Sequence, residues 1–394
     1  MDTRIYLDNS ATSFPKPRSV MGAMADFAAH CGASAGRGAY AEARACQDIL
    51  TNCRRKIARL INAESPERIV FTLNCSDALN IVIRGLLNTA PAPSHALATA
   101  MEHNSVLRPY HALMDQTHLE ADFVPCDGTT GLVDPDDVRR AIKPYTRLIS
   151  CVHVSNVTGT IQPVDEIARI ARRCGIPLLV DAAQSAGHLE IDVQKLGADF
   201  VAFPGHKGLL GPLGTGILYI SPGMDRLLKT TKEGGTGTVS ELPVQPEDMP
   251  DKFEIGSHNA IGLAGLSAGV DWVLQRGVSS IRSQELELSR TFMSELTGVA
   301  GLKIYGPTIP DMRAGIFSVT IEGQSPIELA CELEESYGIL TRPGLHCAPF
   351  AHRTIGTYPQ GTCRLSFGPM TTDDQVCQAR RALVSIARRI PAGK

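Results

Sequence analysis

From residue 68 onward, short apolar runs alternate with longer amphipathic stretches. Residues 68–72 (RIVFT) predict a strand and 76–87 a helix, with Ser76 as N-cap because a hydroxyl there can accept a free backbone N–H. An apolar run at 96–99 precedes a helical pattern over 105–116. The nearly continuous run 148–154 (LISCVHV) predicts a strand covered on both faces, and a helix over 164–174 follows. Runs at 177–180, 200–203 and 216–220 are bounded by turn residues and predict further strands. Such alternation implies a mostly parallel sheet covered by helices.

Beyond residue 220 the pattern changes. Residues 231–251 are rich in Gly, Pro and acid and predict a long loop. Helices are expected over 261–275, 278–296 and about 372–390, with strands near 315–321 and 364–367. The expected class is α/β: a large domain over 18–260, and a smaller α+β domain made of 1–17 with 261–394.

The chain has 394 residues, ample for a large buried core, and its 43% hydrophobic and 20% charged content is that of a soluble globular protein. A net charge of −3 argues against nucleic acid as partner, since neutralising phosphates needs clustered Lys and Arg. No segment approaches the roughly 18 apolar residues of a membrane span. The start MDTRIYLD lacks the layout of a secretion signal. Eleven cysteines lie singly, without CxxC pairs or metal-ligand spacing, so a cytoplasmic protein with reduced thiols and no metal is expected.

Two positions stand out at the ends of predicted strands. Asp181 closes 177–180 and opens DAAQSAG, at the edge of the sheet where ligands bind. Its plain reading is a cap on the next helix; the alternative is an anion beside a cationic ring nitrogen. Lys207 follows 200–203 within PGHKG, among glycines and apolar residues. Burial would lower its pKa and favour a nucleophilic amine. No GxxxxGK[ST] and no strand-linked GxGxxG is present, which excludes the common nucleotide loops. A strand-end Asp followed by a strand-end His-Lys suits pyridoxal phosphate (PLP). Among the thiols, only Cys347 lies in a loop with basic company, Arg342, His346 and His352. Cys46, Cys53, Cys151, Cys331 and Cys377 fall in apolar or helical contexts, where cysteine is an inert small hydrophobe.

In order and spacing, YLDNSAT (6–12), EHNS (102–105), HVSNVTGT (153–160), DAAQS (181–185), GHK (205–207), RPGLHCAP (342–349) and RLS (364–366) resemble the class V aminotransferase superfamily, in particular its cysteine desulfurases of the compact-loop, His-Cys-Ala type. The resemblance implies a PLP-dependent transferase of fold type I acting as a homodimer. It makes Lys207 the lysine that carries the cofactor and Asp181 the partner of the pyridine nitrogen. Gln184 and Asn156 match positions at the cofactor's phenolic oxygen and the substrate carboxylate, and Ala11 joins the substrate group. His103 matches an imidazole stacked on the ring that also relays protons. Arg364 matches the arginine that grips the amino-acid carboxylate, a two-pronged pairing Lys cannot reproduce.

At the phosphate end the resemblance implies Cys75, Ser76 and His206. Pro204 stands where relatives carry a hydroxyl, and Ser257 matches a residue that reaches into the partner's cofactor site. Cys347 matches the nucleophile that takes sulfur from L-cysteine as a persulfide, leaving L-alanine. Cys75 and Cys363 both read as packing residues close to the site. Selenocysteine lyase is the alternative within the same fold, another class V aminotransferase-like enzyme a more distant one. A non-catalytic regulator finds no support in a basic patch or DNA-binding arm. A sulfur-acceptor protein is the partner that a persulfide would need.

Overall fold

The computed structural model describes residues 4–36 and 38–389. A short strand, β1 (Ile5–Tyr6), precedes a seven-stranded sheet made of β2 (Ile69–Thr72), β3 (Ser94–Thr99), β4 (Leu119–Val124), β5 (Thr146–Val152), β6 (Leu178–Asp181), β7 (Phe200–Pro204) and β8 (Gly216–Ile220). The spatial order is β2-β8-β7-β6-β5-β3-β4. Strands β4, β3, β5, β6 and β7 run parallel, and β8 is antiparallel to both of its neighbours. The carboxyl ends of β3, β5, β6 and β7 therefore share one edge.

The apolar runs are continuous because both faces are covered. Leu97, Ile149, Val180, Val201 and Ile217 pack into one cluster with Ile57, Ile167 and Leu266. Their neighbours Ala96, Leu148, Leu179, Ala202 and Leu218 pack into another with Leu79, Val82 and Tyr110. Full burial of each Leu, Ile or Val contributes about 1.5–3 kcal/mol.

The sequence pattern left several elements undrawn. Helices Arg18–His30 and Ala41–Leu60 cover the first face together with Ala260–Arg276. Neither of the first two has a side-chain N-cap, and Ala41–Leu60 is heavily charged outside its buried stripe. β4 is an edge strand whose Glu120 is exposed, so it shows no apolar run. Helix Cys75–Leu87 corrects a detail: Asn74, not Ser76, is its cap, accepting from Asp77 N at 2.9 Å.

Residues 231–251 carry neither helix nor strand. Beyond them lies a second unit with β9 (Leu302–Tyr305), β10 (Ile316–Ile321), β11 (Ile339–Leu340), β12 (Arg342–Gly344) and β13 (Thr362–Ser366). Four of these form an antiparallel sheet in the order β12-β13-β10-β9, while β11 pairs in parallel with β1. Helices Val278–Met293 and Asp373–Arg389 pack there around Phe292, Phe317, Leu365 and Leu383, with Ile5 and Leu7 from the chain start. Residue 390, where the last helix was expected to end, lies outside the described residues. Among the described residues, no helix is long and apolar enough to cross a membrane.

Arg313 fastens the two sheets together. Fully buried, it donates to the carbonyls of Thr158 on one side and Pro307, Tyr305 and Ile316 on the other, and its guanidinium lies over the Phe317 ring. Arg313→Met would fill much of the volume yet strand these carbonyls. We expect a loss of about 3 kcal/mol in urea unfolding; an unchanged midpoint would exclude the fastening role.

Candidate active site

One cavity opens at the carboxyl ends of β5, β6 and β7, and Asn156, Asp181, Gln184, His206 and Lys207 line it together with Cys75, Ser76, His103 and Pro204. Asp181 ends β6 and is 3% exposed. Its Oδ1 accepts from Ala183 N at 2.9 Å and from the Cys75 thiol at 3.7 Å. Burial pushes its carboxyl up, against the Ala183 bond and the nearby Lys207 charge. Lys207 stands in a tight turn after β7, where Leu210 N bonds its carbonyl at 2.9 Å. Gly208 has to be glycine there, since a Cβ would meet the Ala186 carbonyl oxygen at 2.2 Å. Burial lowers the Lys207 amine, partly offset by Cys75 and Asp181. The amine forms no hydrogen bond among the described residues.

His103 caps helix Asn104–Gln116: its Nδ1 accepts from Ser105 N at 3.1 Å. Nδ1 being the acceptor, the neutral ring carries its proton on Nε2. Burial first, then Lys207, Arg342 and Arg364, hold its pKa down to about 3. Gln184 donates to Ser10 O at 3.1 Å, and Asn156 Nδ2 to His346 O at 2.7 Å, leaving the buried Asn156 Oδ1 without a partner among the described residues. Ser76, within the first turn of helix Cys75–Leu87, bonds Ser105 Oγ at 2.6 Å. Free backbone N–H groups at such a helix start attract an anion. His206, held to about 4 chiefly by burial, bonds Thr12 Oγ1 at 3.1 Å.

Arg364 on β13 is 1% exposed and pairs with Asp8 at 2.7 Å; its Nη1 bonds Asn156 O at 3.0 Å. Cys347 is exposed in a loop pinned by Asn156 and by Asn104 N, which donates to the Cys347 carbonyl at 2.7 Å. Arg342 Nη2 lies 3.7 Å from its sulfur. His346 and Cys347 both hold left-handed backbone, with φ of 50° and 58°.

The basic company expected around Cys347 is reduced. His346 and His352 are buried and bonded to each other at 3.2 Å; His346 Nε2 donates to Arg342 O, and Thr357 Oγ1 lies 2.7 Å from His352 Nδ1. Burial keeps both imidazoles well below their usual range, His352 at about 4. Both are neutral at pH 7, so Arg342 is the cation on the sulfur.

Two further expectations meet the geometry differently. Cys75, expected at the phosphate end, turns its thiol onto Asp181. Ala11 lies in the 8–12 turn, outside the lining of this cavity. Ser257 faces separate hollows beside Lys232 and Arg54, outside this chain's own cavity, as a residue serving a partner's site would. Asp8 and Lys16 went unnoticed in the sequence. Lys16 donates at 2.7 Å to the His206 carbonyl, which also accepts from Ser13 N, and burial lowers its amine to about 8. Asp8 belongs to the YLDNSAT stretch, but nothing local marks its partner.

Comparison with known proteins agrees with this architecture. A probable cysteine desulfurase of Methanothermobacter thermautotrophicus is 38% identical, over 97% of this chain and 94% of the relative. A cysteine desulfurase of Dickeya dadantii is 34% identical over 94% and 89%. Among solved structures, the apo cysteine desulfurase of Thermococcus onnurineus NA1 superposes with a TM-score of 0.92 at 33% identity, covering 98% of this chain and 95% of that one. The model of the family Aminotransferase class-V matches residues 5–378, nearly the whole length, and the chain belongs to that family.

Proposed function

We propose that this protein is a PLP-dependent cysteine desulfurase that converts L-cysteine to L-alanine and receives the sulfur as a persulfide on Cys347. The observation that carries the reading is the convergence of Asp181, Lys207 and His103 on one cavity whose rim holds Arg364 and the Cys347 loop. The cavity fits the cofactor: the unpaired Lys207 amine, Asp181 Oδ2 and Asn156 Oδ1 offer an amine, an anion and an acceptor, and a helix start suits the phosphate. Bound there, PLP supplies an electron sink for the pair left at Cα.

Arg364 and Asn156 hold the substrate carboxylate. Lys207, favoured as a neutral amine by burial, takes the Cα proton, and His103 moves a proton at Nε2. Arg342 stabilises the Cys347 thiolate, which attacks the substrate sulfur. The S–S bond forms and the Cβ–S bond breaks; its electron pair stays with the carbon fragment, which is protonated to alanine. Positioned proton transfer of this kind supplies roughly 10²–10⁴ in rate.

The same proposal includes a homodimer with Ser257 serving the partner's cavity, a thiol-bearing sulfur acceptor, and a cytoplasmic location. It divides the chain after residue 276 rather than 260, because helix Ala260–Arg276 buries Leu263 and Leu266 in the same cluster as Ile57. The test is reduction of purified protein with borohydride. We expect a visible absorption band to vanish and a peptide containing Lys207 to gain the cofactor's mass. Unlabelled Lys207 would overturn the reading.

A further inference from the structure

We propose that Cys75 is a positioning residue: its thiol holds one oxygen of Asp181 so that the other faces the ring nitrogen of the cofactor. The inference rests on the PLP reading of the cavity and extends it to a residue that reading does not use.

Two donors from different elements converge on Asp181 Oδ1. The Ala183 backbone N–H comes from the turn after β6, and the Cys75 thiol from the first turn of helix Cys75–Leu87. Oδ2 accepts no hydrogen bond among the described residues. A carboxylate held by a single donor can still swing about its terminal torsion, which is a soft one. A second donor on the same oxygen removes that freedom and leaves Oδ2 turned to the cavity that Asp181 and Cys75 both line.

The thiol can only be the donor in this pair. An ionised carboxylate offers acceptors alone, and burial together with the Asp181 charge keeps the proton on Cys75 sulfur. A hydroxyl could hold the same oxygen, and sulfur differs from it only in donor strength. It is the weaker donor, so it orients Asp181 while leaving most of the negative charge for the ring nitrogen. No other cavity hydroxyl stands in, because Ser76 and Ser105 are bonded to each other.

The test compares wild type, Cys75→Ala, Cys75→Ser and Asp181→Asn. Infrared spectra of cofactor-free protein should contain an S–H stretching band that is absent in Cys75→Ala and moves in Asp181→Asn. In the cofactor-loaded protein, Cys75→Ala should lose the visible band about fivefold faster on dialysis, and Cys75→Ser should restore retention. An S–H band indifferent to Asp181→Asn overturns the proposal, as does unchanged retention in Cys75→Ala. Wild type without a visible band would instead overturn the cofactor reading, and the infrared comparison would still decide whether the thiol bond exists.

Discussion

Serine at position 347 should stop alanine formation from cysteine, by on the order of 10³-fold or more, while the visible band of bound cofactor persists. The step assigned to Cys347 needs an ionised sulfur nucleophile. A serine hydroxyl is not ionised by one neighbouring guanidinium, and the two imidazoles in the loop carry no charge to assist. Serine is smaller and meets the same left-handed backbone, so the pins from Asn104 and Asn156 should survive. Selenocysteine is the informative second substrate. A selenol leaves without thiolate attack, so Cys347→Ser should still release alanine from it. The assay is alanine formation from each amino acid by wild type and variant. Undiminished turnover of cysteine by Cys347→Ser would sink the persulfide mechanism.

Acid should unfold the protein well before its carboxylates are protonated. His153, His346 and His352 are buried as neutral rings, with His153 and His352 at about 4 and burial holding His346 well below the usual imidazole range. In the unfolded chain each titrates near 6.5. A depressed folded pKa contributes stability that is whole above about 6.5 and lost as pH falls towards the folded value. Three such groups give a slope of up to about 4 kcal/mol per pH unit below pH 6. Glu102 acts in the opposite sense: burial pushes it up to about 8, so its contribution fades as pH rises from about 4.5. Asp181, also pushed up by burial, acts in the same sense as Glu102, while His103 and His206, held to about 3 and 4, act with the three rings, so the histidines dominate between pH 6 and 5. Thermal melts at pH 7, 6 and 5 should show a steep fall, less steep by about one proton in His352→Gln. A flat Tm across that range would mean that these rings are charged in the fold.

What the sequence disclosed depends on how local the signal was. Strands β5 to β8 were readable because continuous apolar runs are what a doubly covered sheet demands. Lys207 and Asp181 stood out as polar residues at the ends of those runs. β4 and helix Ala41–Leu60 escaped because edge and surface positions dilute the apolar period. The site's long-range pairs escaped for another reason. Asp8 finds Arg364 across 356 positions, and Cys75 finds Asp181 across 106, with no local pattern to announce either. His346 and His352 misled in the opposite direction: as letters they are basic, and only burial reveals them as neutral links between Thr357 and the Arg342 carbonyl.

The N-terminal segment ties the order of synthesis to the completion of the site. Asp8 meets Arg364, the Ser10 amide meets Ser366 Oγ, and Thr12, Ser13 and Lys16 gather on the carbonyl before Lys207. At about 5–20 residues per second, roughly 20–70 seconds separate the making of Asp8 from that of Arg364. Throughout that interval Asp8 has no Arg364 to pair with, and the small sheet lacks the inner strand β13. Such distant pairing folds slowly. A ribosome stalled shortly before residue 364 would therefore carry every strand of the large sheet and a Lys207 turn already clasped by the N-terminal segment, but no grip for a substrate carboxylate.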